Sequence, residues 1–221
     1  MAAPAPVRPL SARVAAVVLA AGASRRLGRP KVLLDLGGRT LLARAVAPHL
    51  EAGLDPVVVV LGHGASEVRA AAALPVDGRL RIVVNDGWEE GMASSIRAGV
   101  AAVGDADAVL IALGDQPELT AGRVRAVVEA WDGRAPVVAP EGEGRPAHPI
   151  LFARALFPEL QALRGDTGAR AVVERHQEAA IRLSLPQLGD VDTAEDYRAL
   201  RQRAGPAHTR TRAPHRRRKL T

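Results

Sequence analysis

At 221 residues, of which 48% are hydrophobic, the chain is long enough for one sizeable core, and the usual size of domains favours one domain rather than two. It has no cysteine, which excludes disulfides and thiolate metal sites and fits a reducing compartment. No apolar run reaches the ~20 residues of a membrane span, and the N-terminus lacks the charged start and long apolar centre of a signal peptide, so we expect a cytoplasmic protein with no membrane partner.

Short apolar runs alternate along the chain with longer segments of helical period. The apolar runs predict strands at 14–19, 56–61, 80–84, 108–113 and 135–139, with later ones near 149–153 and 180–185. The periodic segments predict helices at 41–50, 65–74, 93–103, 120–131, 169–176 and 194–203. Near-continuous apolar strands separated by helices indicate a doubly wound α/β fold, with a mostly parallel sheet and helices on both faces. Ligands bind such sheets at the carboxyl ends of the strands.

The loop after the first predicted strand is rich in glycine and cations, in the segment VVLAAGASRRLGRPKVLLDLGG (17–38). A Walker-type loop needs four residues between its glycines, whereas five separate Gly22 from Gly28, and a dinucleotide fingerprint needs a glycine where Ser24 stands. What remains is a small-residue strand end followed by the donors Ser24, Arg25, Arg26 and Lys31. This pattern predicts a loop that wraps a triphosphate, with a solvated basic turn as the alternative.

A carboxylate follows the strand predicted at 108–113, in the segment GDQP (114–117). At the end of a buried parallel strand, Asp115 is either part of a helix-entry turn or a magnesium ligand. Because magnesium prefers one or two carboxylates together with substrate phosphates, a second acid is expected, and GDVDTAED (189–196) offers several. Thr193 and Asp196 have the spacing of a capping box, which predicts that Glu195 and Asp196 are structural.

The net charge of +6 is concentrated in the C-terminal segment 205–221, which has six Lys and Arg residues and no acid. Removing these six from the 30 basic residues leaves 24, equal to the 24 acidic residues of the body. We therefore divide the chain into an N-terminal arm (1–13), one domain (14–204) and a basic tail (205–221) that we expect to be disordered. An anchor for RNA is the alternative, but the tail has no aromatic residue on which bases stack, so we expect no specific nucleic-acid partner.

The run LAAG-x-S-x-R-x-G-x-P-K (19–31) resembles the signature of the MobA-like nucleotidyltransferase family. This group shares a nucleotide-diphospho-sugar transferase-like fold of Rossmann type and contains the sugar-phosphate nucleotidyltransferases and the molybdenum cofactor cytidylyl- and guanylyltransferases. The resemblance implies that Ser24, Arg26 and Lys31 hold the triphosphate and that Arg25 faces solvent. It also implies that the base and ribose lie against Leu19, Ala20, Ala21 and Gly22.

The segments GDQP and DVDTAED resemble those of the molybdenum cofactor cytidylyltransferases in particular. The resemblance implies that Asp115 and Asp192 bind Mg²⁺. The segment NDGWEEGMASSIRAG (85–99) resembles a part of the family that lines the base, which implies nucleotide-binding roles for Gly91, Ser94 and Ser95. The alternative for that segment is a serine-capped helix start at residue 93.

Two later segments resemble the acceptor side of the same subfamily. RPAHPILF (145–152) is similar to a Gly-His-Pro turn but has Ala147 in place of the glycine, and it makes His148 a candidate substrate-binding residue. GDTGAR (165–170) is similar to a loop near the acceptor, which implies that Arg170 binds the acceptor's phosphate or pterin.

The reaction implied by the resemblance is the transfer of CMP from CTP to the phosphate of the molybdenum cofactor (molybdopterin), with release of pyrophosphate. Arg26, Lys31 and Asp115 would be the catalytic residues, Mg²⁺ the cofactor, and a molybdoenzyme a transient partner. Ala21, where the guanylyl branch has glycine, favours the smaller pyrimidine. Three alternatives stay open: a reductase using NAD(P)H like nicotine blue oxidoreductase, a non-catalytic chaperone of the molybdenum cofactor, and a sugar-phosphate nucleotidyltransferase.

Overall fold

The computed structural model describes residues 12–142 and 145–204. The predicted tail (205–221) and nearly all of the predicted arm (1–13) lie outside the described residues. Within the described part of the chain, no helix combines the length and the apolar character that a membrane span requires.

Within those residues, one sheet contains eight strands. They are β1 (Val14–Ala20), β2 (Val57–Leu61), β3 (Leu80–Val84), β4 (Ala108–Leu113), β5 (Val137–Gly142), β6 (Arg145–Pro146), β7 (Ile150–Ala153) and β8 (Ile181–Ser184). The order is β3-β2-β1-β4-β7-β5-β6, with β8 paired to β5. Strands β1 to β4 are mutually parallel, whereas β7 runs antiparallel to both of its neighbours, β4 and β5. Consequently β5 and β8 point in the same direction as β4.

Seven α-helices accompany the sheet in the described residues. They are α1 (Leu41–Glu51), α2 (Ala65–Ala71), α3 (Met92–Ala101), α4 (Ala121–Ala130), α5 (Phe157–Ala162), α6 (Arg170–Arg175) and α7 (Ala194–Ala204). Threonine N-caps begin two of them, because the hydroxyls of Thr40 and Thr120 each accept a backbone N–H three residues later at 3.2 Å.

The two faces of the sheet have separate cores, as alternate residues of β1 show. Ala16 and Val18 pack in a core with α1, α2 and α4, while Ala15 and Val17 pack with α3, α5 and α6. This alternation follows from the period of two in a strand, with both faces apolar because both are covered by helices. The predicted doubly wound α/β fold, mostly parallel with helices on both faces, is confirmed.

Two features of the second half differ from the sequence-based expectation. The strand predicted near 149–153 is present as β7 but is antiparallel, and the short helix α5 and the two-residue strand β6 were not predicted. An apolar run predicts a buried strand but carries no direction, and six residues are too few for a helical period to stand out.

The carboxyl ends of β1 and β4 lie side by side, because Leu19 of β1 is the register partner of Leu113 of β4. The loops that leave these strands therefore begin next to each other. This edge of the sheet is where the candidate site lies.

Candidate nucleotide site

A cleft of about 680 Å³ opens at the carboxyl ends of β1 and β4. Most of its wall comes from three segments that are distant in sequence: the loop after β1, the start of α3 with the turn before it, and the loop before α7. Its lining includes Leu19, Ala20, Ala21, Gly22, Ser24, Arg25, Lys31, Gly91, Ser95, Asp115, Asp166, Asp190 and Asp192.

The loop after β1 turns back on itself, so that Lys31 returns to the cleft. Ser24 has a positive φ of 51°, and its hydroxyl accepts the backbone N–H of Lys31 at 3.0 Å. The backbone carbonyl of Ser24 also accepts the N–H of Leu27 at 2.9 Å. Ser24 thus stabilises the turn that carries the lysine, by accepting a backbone N–H with its hydroxyl and another with its carbonyl.

Lys31 lies between the two predicted metal ligands. Its ammonium is 2.5 Å from Oδ2 of Asp115 and 2.7 Å from Oδ1 of Asp192. Burial alone disfavours the charged ammonium, but the carboxylates of Asp115 and Asp192 outweigh that effect and raise the pKa of Lys31. Two segments 77 positions apart therefore place carboxylates against one shared cation.

A third acid, Asp190, stands beside this group and was not singled out from the sequence. The amide of Gln116 donates to Asp190 Oδ1 at 2.6 Å, and the backbone N–H of Val191 donates to the carbonyl of Asp115 at 3.3 Å. Desolvation raises the pKa of Asp190; the Gln116 hydrogen bond opposes this shift, and the charges of Asp115 and Asp192 add to it. Gln116, itself buried, ties the loop after β4 to the loop before α7.

The predicted capping box at the start of α7 is present. The carboxylate of Asp196 accepts the backbone N–H of Thr193 at 2.7 Å, and the hydroxyl of Thr193 accepts the N–H of Asp196 at 3.1 Å. This box fixes the helix directly after Asp192.

The segment between β3 and α3 forms the opposite wall. Gly91 has φ +102°, and a Cβ placed on it would lie 2.5 Å from the carbonyl carbon and oxygen of Gly165. The N–H of Ala93 donates to that same carbonyl at 3.0 Å, which brings the following Asp166 to the cleft. The close approach of the 165–166 backbone therefore requires glycine at position 91. This requirement is independent of the predicted contact of Gly91 with a nucleotide base.

The two predicted base-lining serines have different surroundings. Both are buried, and both hydroxyls accept from the side-chain amide of Asn85, at 2.8 Å for Ser94 and 3.0 Å for Ser95. Ser95 lines the cleft, whereas the hydroxyl of Ser94 donates to the carbonyl of Gly91 at 2.8 Å. Asn85 links β3 to the start of α3.

The other predicted residues lie outside the lining of this cleft. Arg25 and Arg26 are both exposed, as the resemblance implies for Arg25, but Arg25 also lines the cleft whereas Arg26 does not. His148 is only 5% exposed, with Nδ1 3.2 Å from the carbonyl of Ile111, and burial lowers the pKa of its ring to about 4. Arg170 begins α6 and lines a second cavity.

Residues 16–180 match the family model described as the MobA-like NTP transferase domain, which is three quarters of the chain. The chain belongs to this family. The family match supports a nucleotidyltransferase, an enzyme class that binds a nucleoside triphosphate.

Relatives of this MobA-like protein carry different names. It is 38% identical to nicotine blue oxidoreductase of Paenarthrobacter nicotinovorans, over 86% of this chain and 94% of that one. It is 33% identical to the purine catabolism protein PucB of Bacillus subtilis, over 84% and 95% of the two chains. The crystal structure of Rv0371c from Mycobacterium tuberculosis superposes with a TM-score of 0.76 at 34% identity, covering 87% of this chain and 99% of that one. Rv0371c has also been solved in complex with manganese.

The cleft of this MobA-like protein combines two chemical features. Small residues at the end of β1 leave room for a planar group against the backbone, and the cations Lys31 and Arg25 line the same cleft. Beside them, Asp115 and Asp192 offer the hard oxygen ligands that magnesium and manganese prefer. Among residues 12–142 and 145–204, no group of three or more His, Asp or Glu side chains is arranged as a metal site by itself.

Proposed function

We propose that this MobA-like nucleotidyltransferase transfers CMP from CTP to the phosphate of a molybdopterin-type acceptor and releases pyrophosphate. The observation that carries the proposal is the meeting of Lys31 with Asp115 and Asp192 at the edge of the cleft, 2.5 and 2.7 Å away. A lysine and two carboxylates at the carboxyl ends of parallel strands suit phosphoryl chemistry on a nucleotide.

The reaction needs no general base. An oxygen of the acceptor's phosphate monoester, already ionised near neutral pH, attacks the α-phosphorus of CTP, and the bond from that phosphorus to the β-phosphate oxygen breaks. The protein therefore contributes position and charge. Lys31 and Arg26 would neutralise the departing pyrophosphate, and Arg25, which lines the cleft, would contact the same anion.

Asp115 and Asp192 fit a divalent cation, because their carboxylates already converge on one positive group and are hard oxygen ligands. In our proposal these two residues hold Mg²⁺. When bound, the ion supplies Lewis-acid stabilisation of charge on the phosphate oxygens. Gln116 and Asp190 would keep the two ligand-bearing loops together, since they join the loops by a 2.6 Å hydrogen bond.

The proposed contacts to the base are Leu19, Ala20, Ala21 and Gly22 on one wall and Gly91, Ser94 and Ser95 on the other. Preference for cytosine rests on Ala21, whose buried side chain narrows the end of β1 relative to a glycine. The acceptor would lie toward His148 and Arg170. We place the reaction in the cytoplasm, with transfer of the product to a molybdoenzyme as the following step.

A second candidate function, reduction of a quinoid compound with NAD(P)H, is favoured by the 38% identity to nicotine blue oxidoreductase. A reductase has no use for a lysine paired with two carboxylates at a triphosphate loop, so the two functions differ in their dependence on Asp115 and Asp192. A sugar-phosphate acceptor and a chaperone without catalysis are further alternatives, and the same experiment separates them.

The experiment incubates the full chain with Mg²⁺, each of the four nucleoside triphosphates in turn and molybdenum-loaded pterin, and measures pyrophosphate. We expect release with CTP that depends on the pterin. Release that requires a sugar phosphate instead would change the acceptor, and binding of the pterin without release would favour the chaperone. Oxidation of NADPH by a quinoid acceptor, without pyrophosphate from any triphosphate, would replace our proposal by the reductase.

A further inference from the structure

The ammonium of Lys31 lies against the same carboxylates that the proposed function assigns to a divalent cation. It is 2.5 Å from Oδ2 of Asp115 and 2.7 Å from Oδ1 of Asp192. Within residues 12–142 and 145–204, both ion pairs that these carboxylates make are with this one ammonium. The side chains of Lys31 and Asp115 are 18% and 15% exposed, so solvent screens their attraction only in part. Lys31 is therefore an internal counter-ion of the two carboxylates.

The backbone that carries Lys31 is anchored, whereas its side chain is free to change conformation. The backbone N–H of Lys31 donates to the hydroxyl of Ser24 at 3.0 Å, and its carbonyl accepts the N–H of Leu34, also at 3.0 Å. The next residue, Val32, is buried in the core. A flexible stem of four carbons joins the ammonium to this fixed point. Rotation within the side chain can therefore move the ammonium from the carboxylates to another anion in the same cleft.

A triphosphate in this cleft would compete with the carboxylates for the ammonium. Lys31, Asp115 and Asp192 all line the one cleft, and a nucleoside triphosphate carries more negative charge than two carboxylates. Two cations held by one pair of carboxylates repel each other. Lys31 therefore opposes the binding of a divalent cation while it lies between Asp115 and Asp192. It ceases to do so when its ammonium pairs with phosphate oxygens.

We propose that Lys31 couples the two ligands of the cleft: its ammonium hinders a divalent cation at Asp115 and Asp192 until a triphosphate draws the ammonium away. Coupling between two ligands is reciprocal, so a divalent cation at the carboxylates also favours the lysine conformation that binds the triphosphate. Because its ligands are the triphosphate and the metal, this inference rests on the proposed function. It does not depend on the acceptor or on the transfer of CMP.

The first measurement is the affinity of the full chain for Mn²⁺ without nucleotide, from the electron paramagnetic resonance signal of the free ion. Lys31→Met removes the ammonium and keeps a long side chain, so it should bind Mn²⁺ at least about tenfold more tightly than the parent. Arg25→Met is the matched control, because Arg25 is an exposed cation that lines the same cleft, and the described residues include no ion pair between it and either carboxylate. The control should change the affinity by less than about threefold, since salt screens an exposed charge. Melting temperatures check that both variants fold.

The second measurement follows Lys31 in the parent protein. The chain has only two lysines, Lys31 and Lys219, so labelling of lysine Cε with ¹³C gives two NMR signals. Lys219→Arg removes one of them and thereby assigns the other. CTP, added with EDTA so that no divalent cation is present, should shift the Lys31 signal, because the ammonium then has different anionic neighbours. An unshifted Lys31 signal when CTP is bound, as measured by equilibrium dialysis, would overturn the inference.

The outcomes separate this inference from the proposed function. Tighter binding of Mn²⁺ by Lys31→Met together with the shift caused by CTP, in a protein that transfers no CMP to the pterin, would support the coupling and overturn the transferase. Transfer of CMP by the parent, with an affinity for Mn²⁺ that Lys31→Met leaves unchanged or weakens, would keep the transferase and overturn the coupling. An equal gain in Arg25→Met would also overturn it, because any loss of positive charge from the cleft would then have the same effect.

Discussion

Replacement of Gly91 by alanine tests whether the wall of the nucleotide cleft is built by close contact between two backbone segments. At φ +102° and ψ −178°, a non-glycine residue is strained by about 1–3 kcal/mol. The added Cβ would also lie 2.5 Å from the backbone of Gly165, and overpacking of that kind costs about 1–3 kcal/mol more. We expect a combined loss of about 2–6 kcal/mol in the free energy of unfolding and a melting temperature lower by about 4–24 °C.

The same substitution should raise the KM for the nucleotide, because relief of the overlap displaces the backbone at residues 91 and 165, which shapes this wall of the cleft. Gly104→Ala is the matched control: its φ is also positive, at +64°, but an added Cβ meets nothing within 4 Å, so only about 1 kcal/mol of strain is expected. Circular dichroism during heating measures the melting temperature, and steady-state kinetics measure the KM for the nucleotide. Equal melting temperatures for the two variants would refute the reasoning, because they would show that the approach of Gly165 to Gly91 places no demand on the residue.

Three further predictions concern other parts of the chain. If Arg26 binds the triphosphate, as the resemblance implies, Arg26→Ala should lower kcat/KM for nucleotide transfer more than Arg25→Ala. The reverse order would indicate that Arg25, which lines the cleft, binds the triphosphate instead. Burial lowers the pKa of His49 from 6.5 to about 4. Above pH 6.5 the ring is neutral in both the folded and the unfolded protein, whereas between pH 6.5 and 4 only the unfolded protein takes up the proton. The free energy of unfolding should therefore fall by about 3 kcal/mol as the pH falls from 6.5 to 4. In His49→Leu, the free energy of unfolding from urea titrations should differ less between pH 7 and pH 4.5 than in the parent. The same difference in both proteins would contradict the prediction. Deletion of 208–221 should leave melting temperature and transfer nearly unchanged while abolishing salt-sensitive retention on RNA; a large fall in melting temperature would mean that the tail docks on the domain.

The first half of the fold could be predicted closely from the sequence. The runs that form β1, β2 and β4 are continuous and apolar because both faces of these strands are covered, whereas the edge strand β3 contains Arg81 and is only partly buried. The bounds predicted for β3 and β4 are those of the structure. The direction of β7 could not be predicted, since its partners β4 and β5 are identified only by the tertiary fold. Helix α5 is short and begins with Phe157 and Pro158, so it carries little periodic signal.

For the site, the sequence predicted which loops come together, but not the contacts that their side chains make with one another. Asp115 and Asp192 were singled out, and both contact Lys31. Asp190 was passed over because the resemblance selected a single acid from the segment, although its spacing to Asp192 offered a signal. Asp166 lies in the segment 165–170 that resembles an acceptor-side loop, but its place in the nucleotide cleft could not be predicted, because it depends on the contact of Gly165 with Gly91. The roles of all the predicted site residues toward nucleotide, metal and acceptor stay predictions, including those of Asp115, Asp192 and Lys31.

The most direct test of the central claim is the rate of CMP transfer from radiolabelled CTP in Asp115→Asn and Asp192→Asn, with Asp105→Asn as the control. Asp105 has a side chain that is 91% exposed, and it pairs only loosely with Arg154, at 3.7 Å. Each of the two cleft variants should keep the fold and lose at least about 100-fold in transfer, because each removes a carboxylate from the proposed metal site. The control should transfer at the parent rate. Near-parent rates in both Asp115→Asn and Asp192→Asn would contradict the account, because the carboxylates that meet at Lys31 would then have no part in the chemistry.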